Sequence, residues 1–263
     1  MNRTSSAAML GIAFGAGTSL VNALSSPYSL LGAPLDGTLW GGAAKVLSLL
    51  VDSGWAWAAL AVGVGWLVSV DWPTGAARPA GVGRAAGAGR PTGAGRPAGA
   101  GRPTGAGRPA GAGRPTGAGR PTGAGRPAGA GRPAGRLVRA GVAGVVALMA
   151  ATAAYYAMDA LLRDEPLSWF WPETLLWWGA SVVFGSVLGV VGASISRPGV
   201  IGLLAGLTVP VGAAAQMVVL PPGPSLAVTS AMVWAQILVW TGALLGAGLA
   251  IARYVTRRRT QTA

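Results

Sequence analysis

The sequence predicts an all-α membrane protein, a bundle of about six transmembrane helices divided two and four by a long disordered loop rich in Arg, Pro and Gly. Three observations indicate this class. Hydrophobic residues make up 52% of the 263 residues and charged residues only 10%, whereas soluble domains carry about 25% charged residues. Several apolar stretches reach the roughly 20 residues that a helix needs to cross a bilayer. Most basic residues lie in one internal segment and the others near the ends of these stretches.

The first candidate span covers residues 7–24 and is diluted by small and polar residues. We predict a retained helix, because Gly11 and Gly15 are spaced for close contact with a neighbouring helix. The alternative is a cleaved signal peptide, with Arg3 as its charged start and a small-residue cleavage site at Ala23.

Five stronger apolar spans follow, and they set the predicted domain boundaries. They cover residues 54–71, 140–161, 174–195, 200–220 and 230–252. The chain is therefore predicted to consist of a two-helix part, a linker, a four-helix part and a basic tail: residues 1–72, 73–136, 137–256 and 257–263.

The linker is a tandem repeat in which an Arg recurs every six residues from Arg78 to Arg132. Its units read G-A-G-R-P-T or G-A-G-R-P-A, which offer too little apolar surface to offset the entropy of ordering. Residues 73–139 contain twelve Arg and no acidic residue, so we expect contact with anionic lipid headgroups. Nucleic acid is the less favoured partner, because no aromatic residue interrupts the repeats to stack on bases.

Orientation follows from the basic residues that flank the spans, because such residues stay on the cytoplasmic side. With both termini inside, only Lys45 and Arg163 fall outside. The composition is typical of a GC-rich bacterial genome, so we predict a multi-pass protein of the bacterial plasma membrane. The arginines expected at the inner headgroup level are Arg136, Arg139, Arg197, Arg257, Arg258 and Arg259.

Small residues are predicted to hold the helices together, since apolar helices gain little from burial within lipid. Pairs of glycines four residues apart occur in four spans. They are Gly11 and Gly15, Gly185 and Gly189, Gly202 and Gly206, and Gly242 and Gly246. The alternative explanation is the high glycine content of the chain.

The residue types limit the chemistry. The chain has no His and no Cys, which excludes thiolate chemistry, His-based triads and Cys/His metal sites. We therefore expect no enzymatic activity, no cofactor and no metal. Polar residues inside spans are functional candidates by default, and here they are Asp52, Tyr155, Asp159, Gln216 and Gln236.

Two interpretations of these polar residues remain open. In the first, they serve packing: the aspartates lie at the outer interface, Asp159 pairs with Arg163, and the glutamines form hydrogen bonds between helices. In the second, they form a pocket near the outer leaflet that binds a cation or a small substrate, or relays a proton.

Four features of the second half resemble an uncharacterised family of small multi-pass membrane proteins from high-GC bacteria. They are Ala154-Tyr155-Tyr156, the turn Arg163-Asp-Glu-Pro166, the Trp-rich segment 169–178, and the helix with Gly185 and Gly189. The resemblance implies a plasma-membrane protein and covers residues 7–72 and 137–252, with the repeat as an insertion.

The sequence thus leads to a non-enzymatic integral membrane protein as the expected function. A small permease or transporter subunit that uses the outer pocket is one alternative. A scaffold whose Arg repeats contact anionic lipid or nucleic acid is the other. Association with further copies of the chain, or with another membrane protein, is left open.

Overall fold

Each apolar stretch singled out in the sequence forms a helix in the computed structural model, which describes residues 3–70, 133–219 and 229–262. The described residues contain no strand, which confirms the all-α prediction. Short 3-10 turns precede α2 and α5. The helices are α1 (Arg3–Ser25), α2 (Leu39–Val51), α3 (Gly54–Ser69), α4 (Pro133–Arg163), α5 (Trp171–Ser194), α6 (Val200–Val219) and α7 (Ser230–Thr262).

Five of these helices, α1 and α4 to α7, are long and apolar enough to cross a membrane. Helices α2 and α3 meet the same criterion only as a pair, and they are bent by 64° where they join. The described residues therefore supply five spans, or six if the bent pair counts as one. These properties are those of a multi-pass, membrane-embedded helical protein.

Helix α2 was not predicted, because the first span was expected to end at residue 24 and the second to begin at residue 54. Gly41, Gly42 and Lys45 interrupt its apolar pattern, but a local cap starts the helix: the Thr38 hydroxyl accepts the Gly41 N–H at 3.1 Å. Capping of this kind stabilises a helix end by about 1 kcal/mol. The bent pair of α2 and α3 therefore takes the place of the single predicted segment 54–71, either as a broken span or as a re-entrant loop.

Two helices also extend beyond the predicted boundaries of the four-helix part. Helix α4 begins at Pro133, inside the predicted linker, and Pro is favoured in the first turn because it needs no N–H partner there. Arg136, in the first turn of α4, donates from Nε to the Ser69 carbonyl at 2.8 Å. Helix α7 runs through the predicted tail to Thr262. The Arg-Pro-Gly repeats lie outside the described residues, so their disorder and lipid contact stay predictions.

One end of the bundle collects the arginines. Arg3 Nη1 donates to the Val68 carbonyl at 2.7 Å, which places the start of α1 beside the end of α3. Arg257 Nη1 donates to the Ser196 carbonyl at 3.3 Å, so the last turns of α7 meet the turn after α5. We call this the basic end. It carries every described arginine except Arg163: Arg3, Arg136, Arg139, Arg197, Arg253, Arg257, Arg258 and Arg259.

The first half of the bundle is built on close contact between backbones. A Cβ added to Gly185 would lie 2.8 Å from Val145 Cα, and one added to Gly189 would lie 3.1 Å from Gly141 Cα. Gly11 and Gly15 approach the α4 backbone at Ala147 and Ala151 in the same way. Helix α4 therefore lies in backbone contact with α1 on one side and α5 on the other.

In the α6–α7 pair, only one glycine of each predicted pair lies at the interface. Gly206 faces Ala250 Cβ, and Gly246 accommodates the ring of Pro210. The prediction is wrong for Gly202, whose added Cβ would meet the Arg197 carbonyl in the preceding turn. It is also wrong for Gly242, because the buried face of α7 passes instead through neighbouring positions. Those positions are Ala235, Val239 and Ala243, and no described atom lies within 4 Å of a Cβ built on Gly242.

Candidate functional site

A cavity of about 470 Å³ lies between α3, α4 and α5, at the end of the bundle opposite the arginines. The break between α2 and α3 forms part of its wall, through Asp52 and Gly54. Its other lining residues are Trp57, Ala58, Leu148, Thr152, Tyr155, Tyr156, Trp177, Ala180, Ser181, Phe184 and Leu188. Trp177 and Phe184 are 54% and 60% exposed, so the cavity is open along α5. We call it the α3–α5 cavity.

Aromatic rings dominate one wall of the α3–α5 cavity. The Trp57 ring meets the Tyr155 ring edge to face at 6.3 Å, and Tyr155 meets Tyr156 at 5.3 Å. Phe14 and Phe170 extend this row at its two ends, at 5.3 Å from Trp57 and 5.6 Å from Tyr156. Because each ring is held by its neighbours, the wall is preformed.

A chain of hydrogen bonds fixes Tyr155 from behind. The Ser48 hydroxyl donates to Asn22 Oδ1 at 2.6 Å, and Asn22 Nδ2 donates to the Tyr155 hydroxyl at 3.4 Å. These contacts join α2, α1 and α4. Asn22 was not among the polar residues selected from the sequence. The signal that identifies it is an amide within the first span, since polar groups inside spans are satisfied by neighbouring helices.

Asp52 lies at the junction of α2 and α3, and it is the single acidic residue that lines the cavity. It is the C-terminal cap of α2, where its N–H donates to the Ser48 carbonyl at 2.9 Å. The first turn of α3 is capped from another helix, since Gln216 Oε1 accepts the Trp55 N–H at 3.2 Å. The bent pair of α2 and α3 is thus tied to α6 at the point where it bends.

The structure brings together two of the five predicted polar residues, Asp52 and Tyr155. The other three are not cavity-lining residues, so the predicted five-residue pocket is wrong in this respect. Asp159 lies one turn beyond Tyr155, where it forms an ion pair of 3.1 Å with Arg163. Gln216 caps α3, and Gln236 lies half-buried on α7.

The lining residues determine which ligands fit. They include one carboxylate, no basic group and five aromatic rings, which belong to Trp57, Tyr155, Tyr156, Trp177 and Phe184. Aromatic faces carry negative partial charge and attract cations. The described residues contain no group of three or more acidic side chains placed to hold a metal ion. The arrangement therefore favours an organic cation with apolar surface.

Comparison with known proteins adds no functional information. No family model matches the sequence, and no curated protein or solved structure is similar to it. The resemblance to a family of high-GC bacteria therefore stays a prediction.

Proposed function

We propose that this chain is a non-enzymatic membrane subunit of the permease type, which binds a small amphiphilic cation in the α3–α5 cavity. The observation that carries the proposal is the combination of one carboxylate, Asp52, with five aromatic rings around an open cavity of about 470 Å³. Ligand pockets for small molecules measure about 300–1,000 Å³ and combine apolar walls with a few polar groups.

The bend between α2 and α3 supports the same proposal. Transporters form substrate sites at discontinuous helices, where the negative C-terminal end of one half-helix faces a bound cation. Here α2 ends at Val51, next to Asp52, so its negative end adds to the carboxylate charge. The positive N-terminal end of α3 is partly offset by its bond to Gln216.

Replacing Asp52 with asparagine is expected to weaken cation binding about fivefold, because the change removes the carboxylate and preserves the side-chain shape. A fivefold change corresponds to about 1 kcal/mol, the upper range for an exposed charge pair. The measurement is equilibrium binding of tetraphenylphosphonium to the full chain in lipid nanodiscs, with empty nanodiscs as the blank. Proteoliposome uptake of the same cation then separates transport from binding alone.

The matched control is Asp36→Asn, which removes an exposed carboxylate outside the cavity. It should leave the affinity unchanged. Tetraphenylborate, an anion of similar shape, should bind much more weakly than tetraphenylphosphonium. Equal binding of both ions, or equal loss in both variants, would contradict the proposed charge preference.

For the membrane orientation, we propose a bacterial plasma membrane with the basic end in the cytoplasm. The proposal rests on the collection of arginines at one end, since basic residues are retained on the cytoplasmic side. The opposite end carries the described acidic residues: Asp36, Asp52, Asp159, Asp164, Glu165 and Glu173.

Cysteine labelling tests this orientation directly, because the chain contains no native cysteine. Tyr28, 97% exposed between α1 and α2, is changed to cysteine in one variant, and Thr260, near the end of α7, in another. A membrane-impermeant maleimide is expected to label Tyr28→Cys in intact spheroplasts and Thr260→Cys only after permeabilisation. The reverse pattern would place the basic end outside.

A further inference from the structure

We propose that a cleft between α6 and α7, at the basic end, binds a phosphate group. This site is separate from the α3–α5 cavity and does not depend on the proposed cation binding. The cleft has a volume of about 170 Å³. Four guanidinium groups line it: Arg197 from the turn before α6, and Arg253, Arg257 and Arg258 from α7.

The positive charge of the lining residues favours binding of an anion in this cleft. No acidic residue lines it, and the acidic residues of the described chain lie at the other end of the bundle. The guanidinium groups that line the cleft attract an anion, because opposite charges interact favourably. Arginine suits phosphate in particular, since its planar fork donates two parallel hydrogen bonds to phosphate oxygens.

Two contacts place the arginines around the opening. Arg257 donates from Nη1 to the Ser196 carbonyl at 3.3 Å, and this bond occupies only one of its five N–H groups. The guanidinium carbon of Arg258 lies 5.0 Å from the centre of the Tyr254 ring, in cation–π contact. The positions of both side chains are thus restricted before a ligand arrives.

The start of α6 contributes to the same cleft through Gly199 and Gly202. Gly199 has a φ of +80°, a conformation that favours glycine. A Cβ on Gly202 would meet the Arg197 carbonyl, so glycine there permits the tight turn that brings Arg197 beside α6. The N–H groups of the first helical turn and the positive end of the helix dipole add to the attraction for phosphate.

The inner part of the cleft is apolar and is lined by Leu203, Leu249 and Ala250. An arginine rim above an apolar floor fits a phosphate ester whose carbon atoms point towards the membrane. The volume is below the roughly 300 Å³ of typical small-molecule pockets, which suits a single phosphate group. This chemistry belongs to an anionic phospholipid headgroup and, without the carbon part, to free inorganic phosphate.

The test uses the purified full chain in a neutral detergent, with thermal unfolding followed by tryptophan fluorescence. Short-chain phosphatidylglycerol is expected to raise the unfolding midpoint, and short-chain phosphatidylcholine to have little effect. Inorganic phosphate is titrated in parallel: stabilisation by phosphate alone identifies the free anion as a ligand, and stabilisation only by the lipid identifies the headgroup. No stabilisation by either would overturn the proposal.

In the double variant Arg253→Gln/Arg257→Gln, we expect that at least a fivefold higher anion concentration is needed for the same rise in the unfolding midpoint. Its control, Arg139→Gln/Arg259→Gln, changes the net charge equally at the same end but outside the cleft, and should retain the effect. If both variants lost stabilisation by the anion equally, the effect would come from diffuse surface charge, and the proposed site would be wrong.

A second measurement leaves every arginine in place. Leu249→Cys introduces a thiol in the cleft, and Leu244→Cys introduces one on α7 outside it. The ligand should slow alkylation of the first thiol at least fivefold and leave the second unchanged. Equal rates with and without ligand at Leu249→Cys would also overturn the proposal.

Discussion

Replacing Gly189 with alanine is expected to lower the free energy of unfolding of the bundle by about 1–3 kcal/mol, the range found for overpacked cores. The new methyl group would lie 3.1 Å from Gly141 Cα and still closer to the Ala140 carbonyl. Helix α3 reaches the same point, because a Cβ on Gly65 would lie 2.7 Å from Gly189 Cα. Since backbones have no rotamers to change, the helices must move apart.

The matched control is Gly179→Ala on the same helix, where no described atom lies within 4 Å of the added Cβ. That change should be neutral or stabilising by up to about 1 kcal/mol, because alanine favours helix more than glycine does. The measurement is the unfolding midpoint of both variants in one detergent. If both variants shifted equally and in the same direction, contact at Gly189 would not be what holds α3, α4 and α5 together.

The helical spans could be predicted because their signal is local. An uninterrupted apolar stretch of about 20 residues is typical of a membrane span, and α1 and α4 to α7 each include almost all of one predicted span. Helix α2 could not be found in this way. Its 13 residues include Lys45 and two glycines, and part of its support comes from distant contacts, such as the bond between Ser48 and Asn22.

The interfaces were less predictable, because spacing alone does not say which face of a helix is covered. Gly185 and Gly189 have the same spacing as Gly242 and Gly246, yet Gly242 faces no other helix among the described residues. The rotation of α7 against α6 is set by which side chains pack along it, including Pro210 against Gly246. That information lies in the tertiary contacts.

The residues of the candidate site were also only partly predictable from the sequence. Asp52 could be selected because a charge beside an apolar span requires an explanation. The aromatic wall could not, since Trp57 and Trp177 are equally expected as anchors at the membrane interface. Only the packing of α3 against α4 and α5 places their side chains around the cavity that Asp52 lines.

Gln216 and Gln236 provide a test of whether a side-chain hydrogen bond stabilises the bend between α2 and α3. Both are glutamines within apolar helices, and both were expected to form hydrogen bonds between helices. In the structure the two side chains differ in what they contact. Gln216 caps the first turn of α3 by accepting the Trp55 N–H at 3.2 Å, and it lies beside Gly54, whose added Cβ would be 3.6 Å from Gln216 Oε1.

Gln216→Leu is expected to destabilise the bundle by about 1–3 kcal/mol, because it leaves the partly buried Trp55 N–H without its partner. Gln236→Leu, which changes the same side chain on α7, should cost less than about 1 kcal/mol. Thermal unfolding of both variants in detergent measures the difference. Proteolysis between α2 and α3 should also become faster in Gln216→Leu, because the start of α3 frays without its cap. Equal stability of the two variants, with unchanged cleavage, would show that the bend at Asp52 is held by packing rather than by this hydrogen bond.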